Sequence, residues 1–473
     1  MGYSFQIKPE ILEKVPAKFA CHYKIMPVKF EGNTLTIAIE DPLDIDTLDN
    51  ISLFLGFRVE PVPASFFDIS EAIKKHYGLG AETIEEIMGS GELDKDLLVK
   101  ESRTENIDEM AQDASMVKFV NQMLVQAVKD NATDIHIEPY EDEIRVRYRV
   151  DGVLYDVPIP QDITYFKSAI VSRIKIMANL DIAERRLPQD GRIKIKVGGQ
   201  EMDLRVSTLP TQFGESVDIR ILTGAMLYSL ENLGLLAPDL GILEKLIKKP
   251  HGIIFVTGPT GSGKTTTLYA CLSKINNRDR KIITIEDPIE YQLKGITQVQ
   301  VHPRIGLTFA AGLRSMLRHD PDIMMVGEVR DFETAEITIR VALTGHLVFS
   351  TLHTNDAAGG ITRLLDMGIE PYLAASSVEC FIAQRLVRII CHNCSGKGCE
   401  SCKFTGYKGR TAIYEFLVMD ENIRDMALNR ASSDQIKKKA LQSEMHTLRM
   451  DGLEKIKAGL TTLNEVIRVT QQD

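Results

Sequence analysis

The hydrophobic and polar positions along this chain fall into three regimes. In the first, Asn33–Glu40 sets Leu35, Ile37 and Ile39 against polar neighbours, which predicts a half-buried strand. Asp41-Pro42 breaks it, and the pattern then predicts a helix over Asp46–Leu55, a strand over Arg58–Val62 and a helix over Asp68–Tyr77. Residues 79–108 are polar and acidic, with Gly-Ser-Gly at 89–91 and no sustained period. They read as a linker, with a short helix over Thr83–Met88. In the second regime, Ser115–Asp130 places apolar residues at 116, 117, 120, 123, 124, 127 and 128, the stripe of an amphipathic helix. Thr133–Ile137 follows as a strand. Two hairpins come next, one turning at Asp151-Gly152 and one at Gly198-Gly199, with a helix over Tyr165–Asn179 between them. A loop over Pro210–Glu215 leads to a further strand carrying Val217, Ile219 and Ile221.

These alternating strands carry arginine on their polar faces: Arg145, Arg147 and Arg149, then Arg205, then Arg220 beside Asp218. Rows of arginine on a sheet serve either as solvated ion-pair partners or as forks that reach a bound phosphate. Spacing leaves both open.

From about Leu240 the third regime begins, with short apolar strands alternating with helices, which predicts an α/β domain on a largely parallel sheet. Its first strand, Gly252–Val256, runs into Gly258-Pro259-Thr260-Gly261-Ser262-Gly263-Lys264-Thr265, and a helix starts at Thr266. This is a full G-x-x-x-x-G-K-[ST] phosphate loop in the strand-to-helix context it requires. Its glycines turn backbone N–H groups onto a polyanion, Lys264 reaches the β- and γ-phosphates, and the Thr265 hydroxyl ligates Mg²⁺. Two later strands end in carboxylates, Glu286-Asp287 and Glu328, where ligands lie in such sheets. Glu328 is the candidate for activating water. It follows Gly327 instead of the usual Asp, so the Mg²⁺ contact of that Asp passes to water or to Glu286. His346 and His353 bracket a strand. His353 is either a structural histidine or a sensor of the γ-phosphate.

The chain has 473 residues, about three domains' worth, with 44% hydrophobic and 26% charged residues. Its net charge of -10 disfavours nucleic acid as a partner, and the scarcity of aromatics (6%, no Trp) gives no stacking platform. No apolar run approaches the ~18 residues of a membrane span, and MGYSFQIKPE shows no basic-plus-apolar signal, so the protein is expected in the cytosol, reaching a membrane only through partners. Cys21, Cys271 and Cys380 read as small buried hydrophobes. Cys391, Cys394, Cys399 and Cys402 form C-x₂-C-x₄-C-x₂-C, four thiolates suited to tetrahedral Zn²⁺. A redox role for one C-x-x-C would need a βαβ thioredoxin pattern, which is missing here.

Together these stretches resemble the type II secretion and type IV pilus assembly ATPase family. The motifs are DLRVSTLPT (203–211) with GESVDIRIL (214–222), GPTGSGKTT (258–266), TIEDPIEY (284–291), LRHDPDIMMVGEVRD (317–331) and GHLVFSTLHTNDA (345–357). The family calls the last four Walker A, Asp box, Walker B and His box. The resemblance implies a RecA-like P-loop ATPase core over 236–390. It implies a preceding PAS-like α+β domain over 109–235, a small docking domain over 1–78, a tetracysteine zinc module over 391–412 and a helical subdomain over 413–473. It implies catalytic roles for Lys264, Glu286, Glu328, His353, Arg205 and Arg220, with Arg314, Arg318 and Arg330 at further family positions. ATP would lie on residues 258 to 266, Gly258 through Thr266, with Mg²⁺ at Thr265 and Zn²⁺ on the four cysteines. It further implies a cytoplasmic homo-hexamer that couples ATP hydrolysis to pilus or pseudopilus assembly, docked on an inner-membrane platform. Two features depart from many members: the inter-knuckle loop is short, and a doubled Leu-rich cyclic-dinucleotide motif is not found. A nucleic-acid translocase and a nucleotide-binding scaffold without turnover are the competing readings. DNA stimulation would favour the first and absence of phosphate release the second.

Overall fold

A computed structural model describes residues 7, 9–12, 14–77, 114–222 and 229–470. The linker over 79–108 and its helix at Thr83–Met88 lie outside the described residues. The chain divides into two compact units, residues 1–224 and 225–473.

In the first unit, β1 (Met26–Glu31) and β2 (Thr34–Ile39) form an antiparallel hairpin, and β3 (Arg58–Pro63) lies parallel to β2. The parallel return needs a crossover, which the helix Ile45–Leu55 supplies; Asp44 caps it by accepting from the Thr47 N–H at 3.1 Å, and Gly56 ends it at φ 71°. Leu35, Ile37 and Ile39 face a core closed by Ile51, Ile69 and Ile73.

A six-stranded antiparallel sheet follows in the same unit, ordered β6-β5-β4-β9-β8-β7. Its strands are β4 (Ala132–Pro139), β5 (Ile144–Val150), β6 (Val153–Asp156), β7 (Gln189–Val197), β8 (Gln200–Thr211) and β9 (Gly214–Leu222). Ile144, Val146, Tyr148, Leu204, Val206, Val217 and Ile219 point to one face, where the helices Ala114–Lys129 and Lys167–Met177 cover them. The turn at Gly198-Gly199 puts both residues at positive φ, 58° and 86°, which matches the strand twist. The expected loop over Pro210–Glu215 is instead continuous ladder: Pro210 pairs with Glu215 and Thr211 with Gly214. Gly214 sits at φ 131° and the Thr211 hydroxyl donates to its carbonyl, which closes a two-residue turn. The expected helix over Tyr165–Asn179 begins as 3₁₀ turns over Gln161–Phe166 and becomes α-helix at Lys167.

The second unit is an α/β sheet of seven strands ordered β12-β11-β13-β14-β10-β15-β16. These are β10 (Gly252–Thr257), β11 (Ile282–Glu286), β12 (Thr297–Gln300), β13 (Ile323–Val326), β14 (Leu347–Leu352), β15 (Val378–Ile390) and β16 (Tyr407–Val418). All neighbours are parallel except β15 and β16. β10 and β14 are buried at every position, as strands covered by helices on both faces must be, so their sequences run apolar without alternating. One core lies on each side of the sheet. β15 and β16 form a long ribbon on either side of the cysteine cluster, and helices over Glu421–Leu428, Ser433–Gln442, Leu448–Lys457 and Leu463–Val469 complete the unit.

Candidate functional site

Strand register brings the second unit's chemistry together. Phe255 on β10 pairs with Ser350 on β14, which pairs with Val326 on β13. A few residues beyond that line, at the carboxyl ends of three adjacent parallel strands, come Gly258, His353 and Glu328. A doubly wound sheet places its ligand crevice there.

The loop after β10 turns with Gly258, Gly261 and Gly263 at φ 149°, 77° and 89°, and Gly263 is the N-cap of the helix Lys264–Ile275. A Cβ on Gly258 would lie 2.6 Å from the Gln384 carbonyl oxygen, so only glycine fits there. The helix therefore starts two residues earlier than expected and includes Lys264 and Thr265 in its first turn. Pro259, Thr260 and Gly261 are exposed, while Ser262 is buried and Thr265 and Thr266 are half-buried. Lys264 Nζ folds back and donates to the carbonyls of Gly258 (2.9 Å) and Pro259 (3.0 Å). Burial pushes its pKa down to about 8, opposed by the Glu328 carboxylate and aided by the Arg385 guanidinium. A partly desolvated ammonium ringed by weak carbonyl acceptors, next to free N–H groups at a helix start, suits a polyphosphate.

Glu328 accepts from Arg330 Nε and lies 3.5 Å from His353 Nε2; its own side chain is 12% exposed. His353 is held below the usual imidazole range, first by desolvation and then by Lys264, with Glu328 acting the other way. Lys264, Glu328, His353 and Arg330 thus form one electrostatic cluster. The Gly327 that stands before Glu328 has a steric reason: a Cβ there would press at 3.3 Å on both the Glu286 Cα and the Ile285 carbonyl oxygen of β11. An aspartate at 327 would need β11 to move.

Glu286 is placed differently. It is 3% exposed, and its carboxylate accepts from Tyr269 Oη, Thr284 Oγ1 and Gln298 Nε2. Burial raises its pKa. The side chain is engaged in the β11–helix packing and not turned into the crevice. Asp287 next to it is exposed. Arg314 pairs with Glu333, and Arg318 caps the carbonyl of Arg314.

In the first unit, Arg205 and Arg220 are direct cross-strand neighbours on β8 and β9. The register extends further: Arg149 on β5, Asp134 on β4, Arg220, Arg205 and Arg192 on β7 form one row across five strands. Asp134 Oδ1 takes Arg220 Nε at 2.9 Å and Asp134 Oδ2 takes Arg149 Nε at 3.7 Å. Four arginines and one aspartate stand in that row, and Asp134 contacts two of the four. Directly opposed like charges, as at Arg205 and Arg220, are unfavourable in a ladder. Sequence reading missed Arg192; the DGR at 190–192 gives no alternation of its own, and only register reveals its place. It also missed Arg385, which lies beneath the phosphate loop.

The four clustered cysteines have Sγ atoms within 4.8 Å of one another. Three of the separations are 3.8, 3.7 and 3.7 Å. Four thiolates at ~2.3 Å from a tetrahedral Zn²⁺ would stand about 3.8 Å apart. Backbone N–H groups of Gly398, Cys399 and Gly406 point at Cys394 and Cys402 sulfurs, the donor pattern that stabilises thiolate. The short inter-knuckle loop closes through three residues at positive φ, Ser395 at 49°, Gly396 at 85° and Gly398 at 93°. The residues fit zinc. Cys21, Cys271 and Cys380 are buried, as expected; burial pushes the Cys271 thiol up to about 12.

Residues 109–468 match the model of the type II/IV secretion system protein family, and residues 4–83 match the MshEN domain. The type IV pilus assembly ATPase PilB of Myxococcus xanthus is 46% identical over 99% of this chain and 88% of its own length. The type II secretion system protein E of Aeromonas hydrophila is 42% identical over 98% of each. Among solved structures, the pilus retraction motor PilT with bound ADP aligns at TM-score 0.52 and 27% identity, over 74% of this chain and 96% of that one. The Legionella pneumophila ATPase DotB aligns at TM-score 0.58 and 24% identity, over 74% and 95%, which supports the shared fold.

Proposed function

This chain belongs to the type II/IV secretion system protein family, and on that premise we propose that it is an ATPase whose hydrolysis drives assembly of a pilus or pseudopilus. The observation that carries the reading is the convergence of the phosphate loop, Glu328 and His353 at the carboxyl ends of three adjacent strands. ATP binds along residues 258 to 266, with Lys264 on the terminal phosphates and the Thr265 hydroxyl toward Mg²⁺. Glu328, once released from Arg330, orients the attacking water and receives its proton. His353 senses the charge change beside it. Glu286 acts from within the sheet, holding β11 against Tyr269 and Gln298.

Arg205 and Arg220 supply fixed positive charge to the transferring phosphoryl group from an adjoining protomer of a hexameric ring. The four cysteines hold a structural Zn²⁺ that clamps the end of the β15–β16 ribbon. The N-terminal domain, residues 1–78, docks on an inner-membrane platform from the cytoplasmic side; among the described residues no helix is long and apolar enough to cross a membrane. The two named relatives are a type IV pilus assembly ATPase and a type II secretion system protein, which is why both outputs stay in the proposal.

Steady-state phosphate release from Mg-ATP tests the reading. The wild-type chain should turn over and Lys264→Ala should not, because the anchoring ammonium is gone. Equal release by both, or none by the wild type together with its membrane platform, would remove the proposal.

A further inference from the structure

The phosphate loop has a second open side. Behind Pro259 lies a cavity of about 400 Å³, bounded by the loop after β14, by β15 and β16, and by the last three helices. It is not the crevice described above, which holds Lys264 and Glu328. Four cations line it, Arg385, Lys437, Arg449 and Arg468, against two carboxylates, Asp356 and Glu415.

The two carboxylates are turned to other work. Asp356 Oδ1 accepts the Gly359 N–H at 2.8 Å, capping the helix Ala358–Asp366. Glu415, only 1% exposed, accepts the N–H groups of Ala357 (2.9 Å) and Leu448 (3.3 Å). Neither lies within ion-pair distance of Arg385. That guanidinium is buried at 9% exposure, and the partners it has are neutral carbonyls, Gln384 O at 3.0 Å and Asn355 O at 2.7 Å. A buried charge left on neutral acceptors is costly unless an opposite charge arrives. Arg449, half-buried at the cavity wall, makes no side-chain hydrogen bond or ion pair among the described residues. The cavity therefore holds two guanidinium groups, one of them deep, outside ion-pair distance of any carboxylate among the described residues; Glu415 and Asp356 act on Arg385 only from further away.

We propose that this cavity is an anion site for a phosphate group, separate from the phosphate loop and coupled to it through Arg385. Planar guanidinium groups suit phosphate oxygens in bidentate fashion, and the volume admits an inorganic phosphate with its water or a small phosphorylated molecule. The coupling is short. Arg385 Nη1 lies close enough to Gly258 that a Cβ there would meet it at 3.0 Å, and its charge is felt at Lys264. Its Nη2 holds the carbonyl of Asn355, two residues after His353. An anion drawing on Arg385 thus pulls at both ends of the nucleotide crevice. Two sources share this chemistry: phosphate released by hydrolysis at the adjacent loop, and a phosphorylated small molecule from solution.

Calorimetric titration of inorganic phosphate into protein saturated with Mg-ADP tests the site: ADP leaves only the γ-phosphate position of the loop open, and the binding lost in a variant of the cavity wall is the binding at this cavity. The wild type should bind. Arg449→Glu combined with Lys437→Gln should weaken phosphate by about tenfold or more, with ADP affinity and melting temperature unchanged. Equal phosphate affinity in wild type and double variant, or no phosphate binding by the ADP-saturated wild type, overturns the proposal. If phosphate release also slows in the double variant, the product is the source. If release is unchanged while added phosphate binding is lost, the ligand comes from solution. Binding by the Lys264→Ala protein keeps this test independent of turnover.

Discussion

Lys264 and Glu328 show how burial tunes single residues. With its ammonium partly desolvated, Lys264 begins to lose its proton near pH 8, well below an ordinary lysine. A bound polyphosphate favours the charged form, so protonation and ATP binding support one another. ATP affinity should therefore fall as pH rises through about 8 to 9. Measured on the wild type with a non-hydrolysable ATP analogue to avoid turnover, an affinity flat across that range would contradict the role given to Lys264. Glu328→Gln itself should retain bound ATP while turnover drops by roughly 10²-fold or more, the usual loss for a missing general base. Filter binding and phosphate release measure the two effects separately, and unchanged turnover would take Glu328 out of the mechanism.

At the scale of elements, the β15–β16 ribbon links the site to the cysteine cluster. Gln384 and Arg385 of β15 touch the phosphate loop at Gly263 and Gly258, and the ribbon continues to Ile390 and resumes at Tyr407 on either side of the four cysteines. Arg388 on the same strand pairs at 2.7 Å with the buried Glu465 of the last helix, whose carboxyl is kept at about 2 despite its burial by Arg388 and Arg468. A metal held by the four cysteines would clamp the ribbon's end and limit its fraying. Elemental analysis should find about one Zn²⁺ per chain. Chelation, or Cys394→Ser with Cys402→Ser, should lower the melting temperature by several degrees, on the order of 1–3 kcal/mol at ~2–4 °C per kcal/mol. A metal-free protein of undiminished stability would contradict the site.

At the scale of the whole molecule, the proposed ring rests on a division of labour. The phosphate loop belongs to residues 225–473, and the row of Arg192, Arg205 and Arg220 belongs to residues 1–224. If the arginines serve a neighbour's nucleotide, Arg220→Ala should lose about 10³-fold in turnover with ATP still bound. Mixing it with Lys264→Ala copies should restore a fraction of the activity, since each kind supplies what the other lacks. No recovery in mixtures, or light scattering that gives the mass of one chain with nucleotide present, would contradict a shared site.

What the sequence determined by itself is whatever depends on local order. The phosphate loop was legible because glycine spacing, strand and helix are contiguous. The cysteine cluster was legible because ligand spacing is itself the signal, and the parallel core because buried strands must run apolar. The arginine faces were legible as alternation, but not their partners. Tertiary structure alone decided which alternating residues meet. Cross-strand register set Arg192 beside Arg205 and placed Asp134 under Arg220. Packing against β11 gave Gly327 its reason and turned Glu286 inward to Tyr269, Thr284 and Gln298. Chain folding brought Arg385, Lys437 and Arg449, distant in sequence, to one cavity behind Pro259. Such contacts come from pairing and packing between distant segments, and no periodicity within one segment encodes them.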